Sequence, residues 1–426
     1  MKTRLLTGRV LSLAILGGFS AAGYGAGFQL LEQNASGLGN AYAGSAVNAE
    51  NASIIYFNPA GMTYLPGLNV SGGVTAIKPS FKFRNDGRST VPLGAVGSNG
   101  GDAGSWGVVP NAYLSWQINP QWFAGVGIGA PFGLMTEYDD NWAGRFHSRK
   151  FDIRTININP SVAYKANEQW SFGFGVNWQR IDAEYKLAQV LPVPNMPGVF
   201  MPGDARVKMH GDAWGWNAGV IFQPTEATRI GLSYRSKIKH SAKGDTDVSL
   251  NGAPVGSGQA RADVDLPDTF ILSAMHQLNS RWTLLGDVSW TGWSSIPKLD
   301  IHSGGKINAT SSLDLRFRDT WRAAIGANYR VDERWTWKVG VAIDQSPIRS
   351  AEYRPTSLPD NNRLWLSTGV QYRHGANTTI DLGYTYLHLK DTPINNDNGE
   401  PARRGLVSGE YKSSGHIIGL QVSSRF

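Results

Sequence analysis

The sequence predicts an all-β fold, a transmembrane antiparallel β-barrel of 14 strands with an N-terminal plug, or hatch, in its lumen. Three observations predict this architecture. Apolar residues recur at every second position in many short segments, short polar turns alternate with long polar stretches, and tryptophans lie beside the short turns. Alternation with a period of two indicates strands, and sorting of connections by length is typical of outer-membrane barrels.

The C-terminal segment shows the alternation most clearly. Ile418, Leu420, Val422 and Phe426 fall on one face, and Gln421 falls on the other. Such a strand suits a wall with lipid on one side and water on the other. A half-buried strand of a soluble sandwich would show the same pattern, so this segment alone does not decide between the two folds.

The connections between alternating segments decide in favour of a barrel. Short polar turns lie near 119–120, 166–168, 225–226, 279–280, 332–333 and 375–376. Long polar stretches lie near 83–105, 135–149, 188–204, 245–261, 298–313, 346–361 and 391–409. A soluble sandwich has no reason to place short turns at one end and long loops at the other.

Tryptophans support the same reading. They lie beside several of the short turns, at Trp116, Trp122, Trp170, Trp282 and Trp335. This placement predicts an aromatic girdle at the periplasmic interface, where the indole body contacts lipid and its N–H reaches water.

Composition and the N-terminus predict export to a bacterial outer membrane. Residues 1–25 resemble a secretory signal that is removed, with cations near Lys2 and an apolar core over 10–19. The chain has no cysteine, and charged residues make up only 17%. The net charge of +7 is not gathered into a lysine and arginine block, so nucleic acid is not predicted as a partner. We expect a monomer.

Residues 26–66 lack sustained alternation, and the first clear strand starts near Leu68 within a barrel that we assign to residues 67–426. The segment is rich in small residues, which suits packing inside a lumen. The sequence therefore predicts a plug, with a periplasmic extension as the alternative.

Pro131 marks a possible break in the third strand, within Gly129, Ala130, Pro131, Phe132 and Gly133. Proline has no N–H to donate to a ladder, and a closed barrel has no free edge. Two interpretations stay open: the strand has left the membrane by this point, or it kinks and opens a lateral hole.

Four arginines are candidates for attracting a carboxylate: Arg316, Arg318, Arg322 and Arg363. The parity of the neighbouring apolar residues would turn them towards the lumen, where a guanidinium binds a carboxylate well. The alternative is that they pair with internal acids such as Asp314 or Asp287.

No enzyme signature emerges. The eight histidines are scattered, and neither a Gly-x-Ser-x-Gly elbow nor a P-loop occurs. We predict no catalytic residues, no metal site and no cofactor, although a cluster assembled across strands would escape a reading along the chain.

The motifs together resemble the FadL-type transporters. The similarity rests on the start Ala26 to Leu30, on Ser36 to Gly39, on Asn58-Pro59-Ala60, and on later matches such as Asn157 to Pro160 and Leu358 to Asp360. The resemblance implies a 14-stranded barrel with an N-terminal hatch, a kinked third strand and a lateral opening. It implies passive uptake of long-chain fatty acids or other hydrophobic compounds. It does not carry over Pro131 itself.

Apolar residues near the outer mouth are the expected capture groove: Leu134, Met135, Val190, Leu191, Val193, Met196, Val199, Phe200 and Met201. An apolar patch in an exposed loop usually marks a binding site. The ligand would then descend beside the hatch, and movement around Asn58, Pro59 and Ala60 would connect the groove to the lateral opening.

Expected partners are hydrophobic small molecules, namely fatty acids and possibly hydrocarbons, outer-membrane lipid and lipopolysaccharide, detergent-like molecules in vitro, and the barrel-assembly machinery through Phe426. Alternative functions are uptake of aromatic hydrocarbons, export of hydrophobic or oxidised lipid products, a porin for polar solutes and a lipid-modifying barrel enzyme. Sequence does not give the direction of transport.

Overall fold

The structure, a computed structural model, describes residues 27–305, 307 and 309–426. The predicted signal, residues 1–25, and Ala26 lie outside the described residues. Among the described residues, no helix has the length and apolarity required to cross a membrane.

One antiparallel sheet of twenty strand segments makes up most of the chain. The segments are β1 (Leu68–Asn85), β2 (Gly107–Gln117), β3 (Trp122–Gly129), β4 (Gly133–Glu137), β5 (Lys150–Lys165), β6 (Trp170–Pro192), β7 (Phe200–Thr225), β8 (Thr228–Arg235), β9 (Ile238–Leu250), β10 (Ala253–Leu266), β11 (Thr269–Gln277), β12 (Trp282–Thr291), β13 (Lys298–Ser303), β14 (Ala309–Asp314), β15 (Thr320–Arg330), β16 (Trp335–Asp344), β17 (Arg363–His374), β18 (Thr378–Leu389), β19 (Thr392–Asn396) and β20 (Val407–Arg425).

Six pairs of consecutive segments are single barrel strands with a short interruption: β3 with β4, β8 with β9, β10 with β11, β12 with β13, β14 with β15, and β18 with β19. The twenty segments therefore form the predicted barrel of 14 strands. The last strand closes on the first along a seam that runs from Asn69 opposite Arg425 to Asn85 opposite Gly409.

The alternation predicts the orientation of side chains correctly. Leu420 and Val422 of β20 are exposed on the outside, while Gln421 between them is buried in the lumen. Because the outer face meets lipid and the inner face meets the hatch, apolar residues point outwards and polar ones inwards, the reverse of a soluble core.

The prediction of seven long loops was partly wrong. Stretches 188–204, 245–261 and 298–313 are largely strand, because β6 and β7 are 23 and 26 residues long and β9, β10, β13 and β14 extend beside them. Beyond the membrane the pattern inverts: Ala205 and Val207 are buried, whereas Arg206 and Lys208 are exposed. These stretches are polar enough to be mistaken for loops, although their alternation is that of strands with one face in water.

A repeated turn builds the periplasmic rim. In four turns an Asn or Asp accepts hydrogen bonds from the N–H groups two and three residues later, and the second of these belongs to a tryptophan. The four pairs are Asn119 with Trp122, Asn167 with Trp170, Asn279 with Trp282, and Asp332 with Trp335.

Each of these tryptophans rests on an aromatic ring of the neighbouring strand at 4.4–4.8 Å between centroids. The partners are Tyr164, Phe222, Tyr329 and Tyr372. Since Trp122, Trp170, Trp282 and Trp335 are also exposed on the outside, they form the aromatic girdle that the sequence predicts.

Residues 27–66 form a compact hatch with short helices at Leu38–Asn40, Ile54–Phe57 (α1) and Pro59–Tyr64. The barrel wall approaches the hatch backbone closely. At Gly340 a Cβ atom would lie 2.2 Å from the carbonyl group of Asn40, so only glycine fits there. Of the remaining short helices, Trp293–Ser295 lies in the interruption between β12 and β13, and Pro401–Arg404 (α2) lies between β19 and β20.

Candidate functional site: an interrupted strand and the segment that fills it

The barrel wall has a gap between β2 and the third strand. β1 pairs with β2 as far as Gly107, but β3 pairs with β2 only from Gln117 to Ala112. β4 continues along β5, from Gly133 opposite Arg154 to Glu137 opposite Lys150. Above the gap the wall closes again, because the Glu137 N–H donates to the Ala103 carbonyl at 3.0 Å. The third strand therefore crosses the wall and is interrupted only at residues 130–132.

The third strand continues on both sides of the interruption. It resumes at Gly133, so Pro131 lies within the wall and not at a strand end. The inward parity changes across the break: Phe123 is buried before it, whereas Leu134 and Thr136 are buried after it. Pro160 on β5 also interrupts a ladder, because β5 and β6 are paired at Ile158 and Ser161 but not between them.

The N-terminal segment makes hydrogen bonds to the backbone N–H and carbonyl groups that the interruption leaves without strand partners. The Leu30 N–H donates to the Pro131 carbonyl at 2.7 Å, and the Gly133 N–H donates to the Phe28 carbonyl at 2.9 Å. On the other side, the Thr155 hydroxyl accepts from the Phe132 N–H at 2.9 Å. The bent residues thus pair with the hatch on one side and with β5 on the other.

Gln33 closes the gap from the lumen. Its Nε2 donates to the carbonyls of Ala130 at 2.8 Å and Leu30 at 3.1 Å. Its own backbone carbonyl accepts from the Tyr113 hydroxyl at 2.7 Å, and Gly129 faces the Gln33 side chain. These contacts join the hatch, β2 and the broken strand in one buried hydrogen-bond network.

An apolar cluster adjoins the gap on the lumen side. Phe28 and Phe132 have ring centroids 5.9 Å apart, Phe28 packs edge-on against Trp293 at 4.9 Å, and Trp293 lies 6.0 Å from Phe317. Leu134 belongs to the same buried cluster, together with Ile153, Ile181, Leu266, Ile296, Leu313, Leu315, Ile348 and Leu358. The break therefore leads directly into an apolar interior.

A buried ion pair holds the start of the described chain. The Gly27 N–H donates to Asp360 Oδ2 at 3.0 Å, and Arg363 Nε donates to Asp360 Oδ1 at 2.9 Å. Asp360 also accepts from the Ser346 hydroxyl at 2.7 Å. The acid thus connects the loop between β16 and β17 to the N-terminal segment.

The four predicted arginines do not form one cluster. Arg363 pairs with Asp360, and Arg322 lies 3.5 Å from Asp287 in the lumen, over the ring of Trp365. Arg316 is exposed and pairs with Asp314 at 3.0 Å, because the chain has left β14 and the φ of Arg316 is +43°, which ends the strand parity. Arg318 is held by the Ser346 carbonyl at 3.2 Å.

A buried carboxyl group lies among these charges. Both oxygens of Glu32 lack a hydrogen-bond partner among the described residues, and its side chain is wholly buried in the hatch. Burial raises the pKa of Glu32 to about 8, although Arg363 and Arg322 oppose the rise. Glu32 and Gln33 are adjacent, so a titratable group adjoins the residue that closes the gap.

The Asn58-Pro59-Ala60 motif anchors the hatch to the opposite wall. Asn58 caps the helix at Pro59 by accepting from the Ala60 N–H at 3.0 Å, and its Nδ2 donates to the carbonyls of Ala46 at 2.9 Å and Val220 at 3.2 Å. A Cβ at Gly219 would lie 2.1 Å from Asn58 Oδ1. A second anchor is the buried Lys338, which donates to Glu50 at 2.6 Å and to Asp381 at 3.0 Å.

The residues of the predicted capture groove separate into three places. Leu134 lies in the lumen cluster, and Met135 has the opposite parity, towards the outside. Val190 and Leu191 lie on the β6–β7 hairpin, where a cleft is lined by Tyr185, Leu187 and Val207. The hairpin tip carries Val193, Met196, Val199, Phe200 and Met201, of which the last four are exposed.

Several residues of this site were not anticipated from the sequence: Glu32, Gln33, Tyr113, Thr155, Trp293 and Lys338. Lys338 had a signal, because its parity in β16 is opposite to that of the exposed Trp335 and Trp337. The others act through contacts between distant segments and leave no local pattern. Within the described part of the chain, no three His, Asp or Glu side chains are grouped as a metal site would require.

A 14-stranded barrel with outward apolar faces, a lumenal hatch and an interrupted wall defines an outer-membrane transport protein. The family model described as "Outer membrane protein transport protein (OMPP1/FadL/TodX)" matches residues 18–426. The chain belongs to this family and lies in the outer membrane.

Relatives agree over nearly the whole chain. A long-chain fatty acid transport protein of Escherichia coli O6:H1 is 32% identical over 90% of this chain and 91% of its own length. Outer membrane protein P1 of Haemophilus influenzae is 33% identical over 97% of both chains. The crystal structure of a Pseudomonas aeruginosa FadL homologue superposes with a TM-score of 0.86 at 27% identity, covering 94% of this chain and 100% of that one. The Ralstonia pickettii toluene transporter TbuX, with a TM-score of 0.68 at 19% identity over 92% of this chain and 98% of that one, shares the fold.

Proposed function

We propose that the chain takes up long-chain fatty acids or related hydrophobic molecules across the outer membrane, and releases them sideways through the gap between β2 and the third strand. The observation that carries the proposal is the interruption at residues 130–132, which joins the apolar cluster around Phe28 and Phe132 to the lipid side of the wall. An aqueous pore would give an apolar solute no comparable path. Relatives named long-chain fatty acid transport proteins support the substrate class.

The route begins at the β6–β7 hairpin. Exposed Met196, Phe200 and Met201 at its tip offer apolar area for capture, Val190 lines the cleft below it, and Leu191 packs against the apolar cluster that includes Leu187 and Val207. Residues 27–66 act as the hatch, and residues 67–426 as the barrel. Release of Phe28, Leu30 and Gln33 from the broken strand opens the gap, because these three residues make the hydrogen bonds that close it.

Arg316 and Arg318 at the outer rim are the proposed contacts for a carboxylate head group, since both are more exposed than Arg322 and Arg363. Arg322 and Arg363 hold Asp287 and Asp360 and so contribute to the position of the loops and the hatch. The chain acts without catalysis, as a transporter and as a monomer, and Phe426 serves as the contact for the assembly machinery.

Aromatic hydrocarbons are a second candidate substrate class. The edge-on rings of Phe28, Trp293 and Phe317 provide the geometry in which aromatic rings pack well. The toluene transporters among the structural neighbours share only the fold at this level of identity.

Uptake in a deletion strain tests the proposal. Cells that lack the gene and cells that carry it would be given labelled oleate or labelled toluene. We expect uptake of oleate only with the intact gene. Equal uptake with and without the gene would overturn the proposal, and large steady currents in planar bilayers would instead indicate a porin.

A further inference from the structure

The outer face of the tall strands carries a row of exposed basic side chains. Register pairs join His210 of β7 to Lys243 of β9, Lys243 to Arg261 of β10, and Arg261 to His302 of β13. Thr310 of β14 pairs with His302 and extends the row to a fifth strand. All of these side chains are exposed, so the row faces outwards and not into the lumen.

The height of the row places it just outside the membrane core. Trp178, Trp214 and Trp216 form an aromatic band on the outer face of β6 and β7, with Trp178 opposite Trp214. Such bands mark the interface of the bilayer. His210 comes four residues beyond Trp214, about 13 Å along a strand. For a strand tilted by about 45° this is a height of about 9 Å, the level of lipid head groups and their first sugars.

Cations on the adjoining part of the same wall form ion pairs with acidic side chains. Lys150, Lys186 and Arg206 surround Glu184, and Arg180 pairs with Asp182. Within the part of the chain that the structure describes, neither Lys243 nor Arg261 has a carboxylate oxygen within 4.0 Å.

The nearest acids are occupied elsewhere or offset along the strands. Asp245 stands opposite Lys208, Asp247 stands opposite Arg206, and Asp263 accepts from the Ser241 hydroxyl at 2.6 Å. Below the row, Asp300 pairs with Lys298. Like charges placed directly opposite destabilise a sheet, as Lys243 and Arg261 are here, and an anion between them would remove that cost.

The row also lies in a concave groove. A cavity of about 660 Å³ is lined by Lys243, Arg261 and His302, by the acid Asp245, and by polar side chains that include Gln259, Ser303 and Thr310. His302 Nδ1 and Thr310 Oγ1 are 2.9 Å apart. Several N–H and O–H groups around two exposed cations match the oxygens of a phosphate group.

We propose that this groove binds a phosphate group of a phosphorylated glycolipid in the outer leaflet, lipopolysaccharide. The occupant follows from position and charge: the basic side chains face away from the lumen, lie at head-group height and include two cations that have no carboxylate oxygen within 4.0 Å among the described residues. A soluble anion taken up through the barrel would not meet this surface.

The test compares two double variants of the full-length protein in detergent. K243Q/R261Q removes two charges from the row, and R180Q/K186Q removes two charges from the paired part of the same wall. Heat-modifiable migration in gels confirms that both are folded. Binding of deep-rough lipopolysaccharide, of the same glycolipid after phosphate removal, and of inorganic phosphate would be measured by native mass spectrometry and by thermophoresis.

We expect K243Q/R261Q to bind intact lipopolysaccharide at least about tenfold more weakly, because the loss of even one charged contact has about that effect. R180Q/K186Q should bind like the parent, and the dephosphorylated glycolipid should bind all three proteins equally weakly. Equal loss in both double variants, or no loss in K243Q/R261Q, would overturn the proposal. Inorganic phosphate that competes at equal concentration would assign the site to a free anion and overturn the lipid as its source.

Discussion

The wall of this barrel is closed in two different ways at two nearby places. At the seam, β20 and β1 pair continuously from Asn69 to Asn85. At the gap, β2 and the third strand part, and the wall is closed by Leu30 and Gln33 of the hatch. Opening the seam would break a whole ladder, whereas opening the gap releases a few hydrogen bonds, each worth about 1 kcal/mol. The proposed lateral exit therefore lies where a few hydrogen bonds to the hatch, and not a continuous strand ladder, close the wall.

Locking the gap should have the largest effect. Gln29 and Phe132 form an isolated antiparallel bridge, and the chain has no native cysteine, so Q29C/F132C offers a single disulfide. We expect uptake of labelled oleate to fall to the level of cells without the gene, and to recover with a reductant.

The matched control is V74C/L420C, which joins register partners on the lipid side of the seam. This lock should leave uptake unchanged, because no movement is needed there. Full uptake through the oxidised Q29C/F132C protein would show that the gap is not the exit.

Rising pH should loosen the gap and leave the seam unaffected. The pKa of Glu32 is about 8 when the hatch is in place and about 4.5 when the side chain is exposed to water. Between these pH values, Glu32 therefore keeps its proton in the closed hatch and loses it when the hatch is released. Hatch stability is therefore greatest below about pH 4.5 and declines as pH rises towards 8, by up to about 1.4 kcal/mol per pH unit.

Hydrogen exchange of the peptide 27–33, corrected for intrinsic rates, measures this effect. Exchange should accelerate from pH 5 to 8 in the parent and stay level in E32Q, while the seam peptide 69–85 shows no such trend in either. A parallel trend in both peptides would mean that Glu32 does not control the hatch.

Removal of the Gln33 side chain should loosen the gap at constant pH. Q33A leaves the buried Ala130 carbonyl without its donor, at a cost of about 1–3 kcal/mol. We expect about tenfold faster exchange of peptide 27–33.

Q421A is the counterpart at the seam, where Gln421 holds the Ala35 N–H at 3.0 Å. Exchange of peptide 27–33 should be unaffected in this variant, because the strand ladder closes the wall there. A similar acceleration in both variants would indicate general loosening of the hatch.

Replacement of Pro131 should have the smallest effect. The interruption is maintained by hydrogen bonds to Phe28, Leu30 and Thr155. P131A should therefore change the free energy of unfolding by no more than about 0.5 kcal/mol, like most substitutions without a lost partner, and leave uptake of oleate near the parent level. P160A provides the comparison on β5. Loss of uptake in P131A alone would show that the proline itself keeps the strand apart.

The sequence predicts the fold because lipid imposes a local rule. Residues such as Leu420 and Gln421 reveal their faces from their neighbours alone. It underestimated the tall strands, because Arg206 and Val207 follow the opposite rule in water. It located Pro131 but not its partners, since Leu30, Gln33 and Thr155 meet the break from distant parts of the chain. The alternation rule placed Arg316 in the lumen wrongly, because the rule holds only while the strand continues.

The repeated periplasmic turns have a consequence for assembly. Each Asn or Asp fixes the backbone of the tryptophan three residues later. Every such hairpin therefore carries a tryptophan that sets its own depth in the bilayer. A hairpin can settle at the correct level in the bilayer before its neighbours arrive. Length changes in the outer loops leave that reference level untouched, so the exposed side of the barrel is free to vary while the inner rim stays in line.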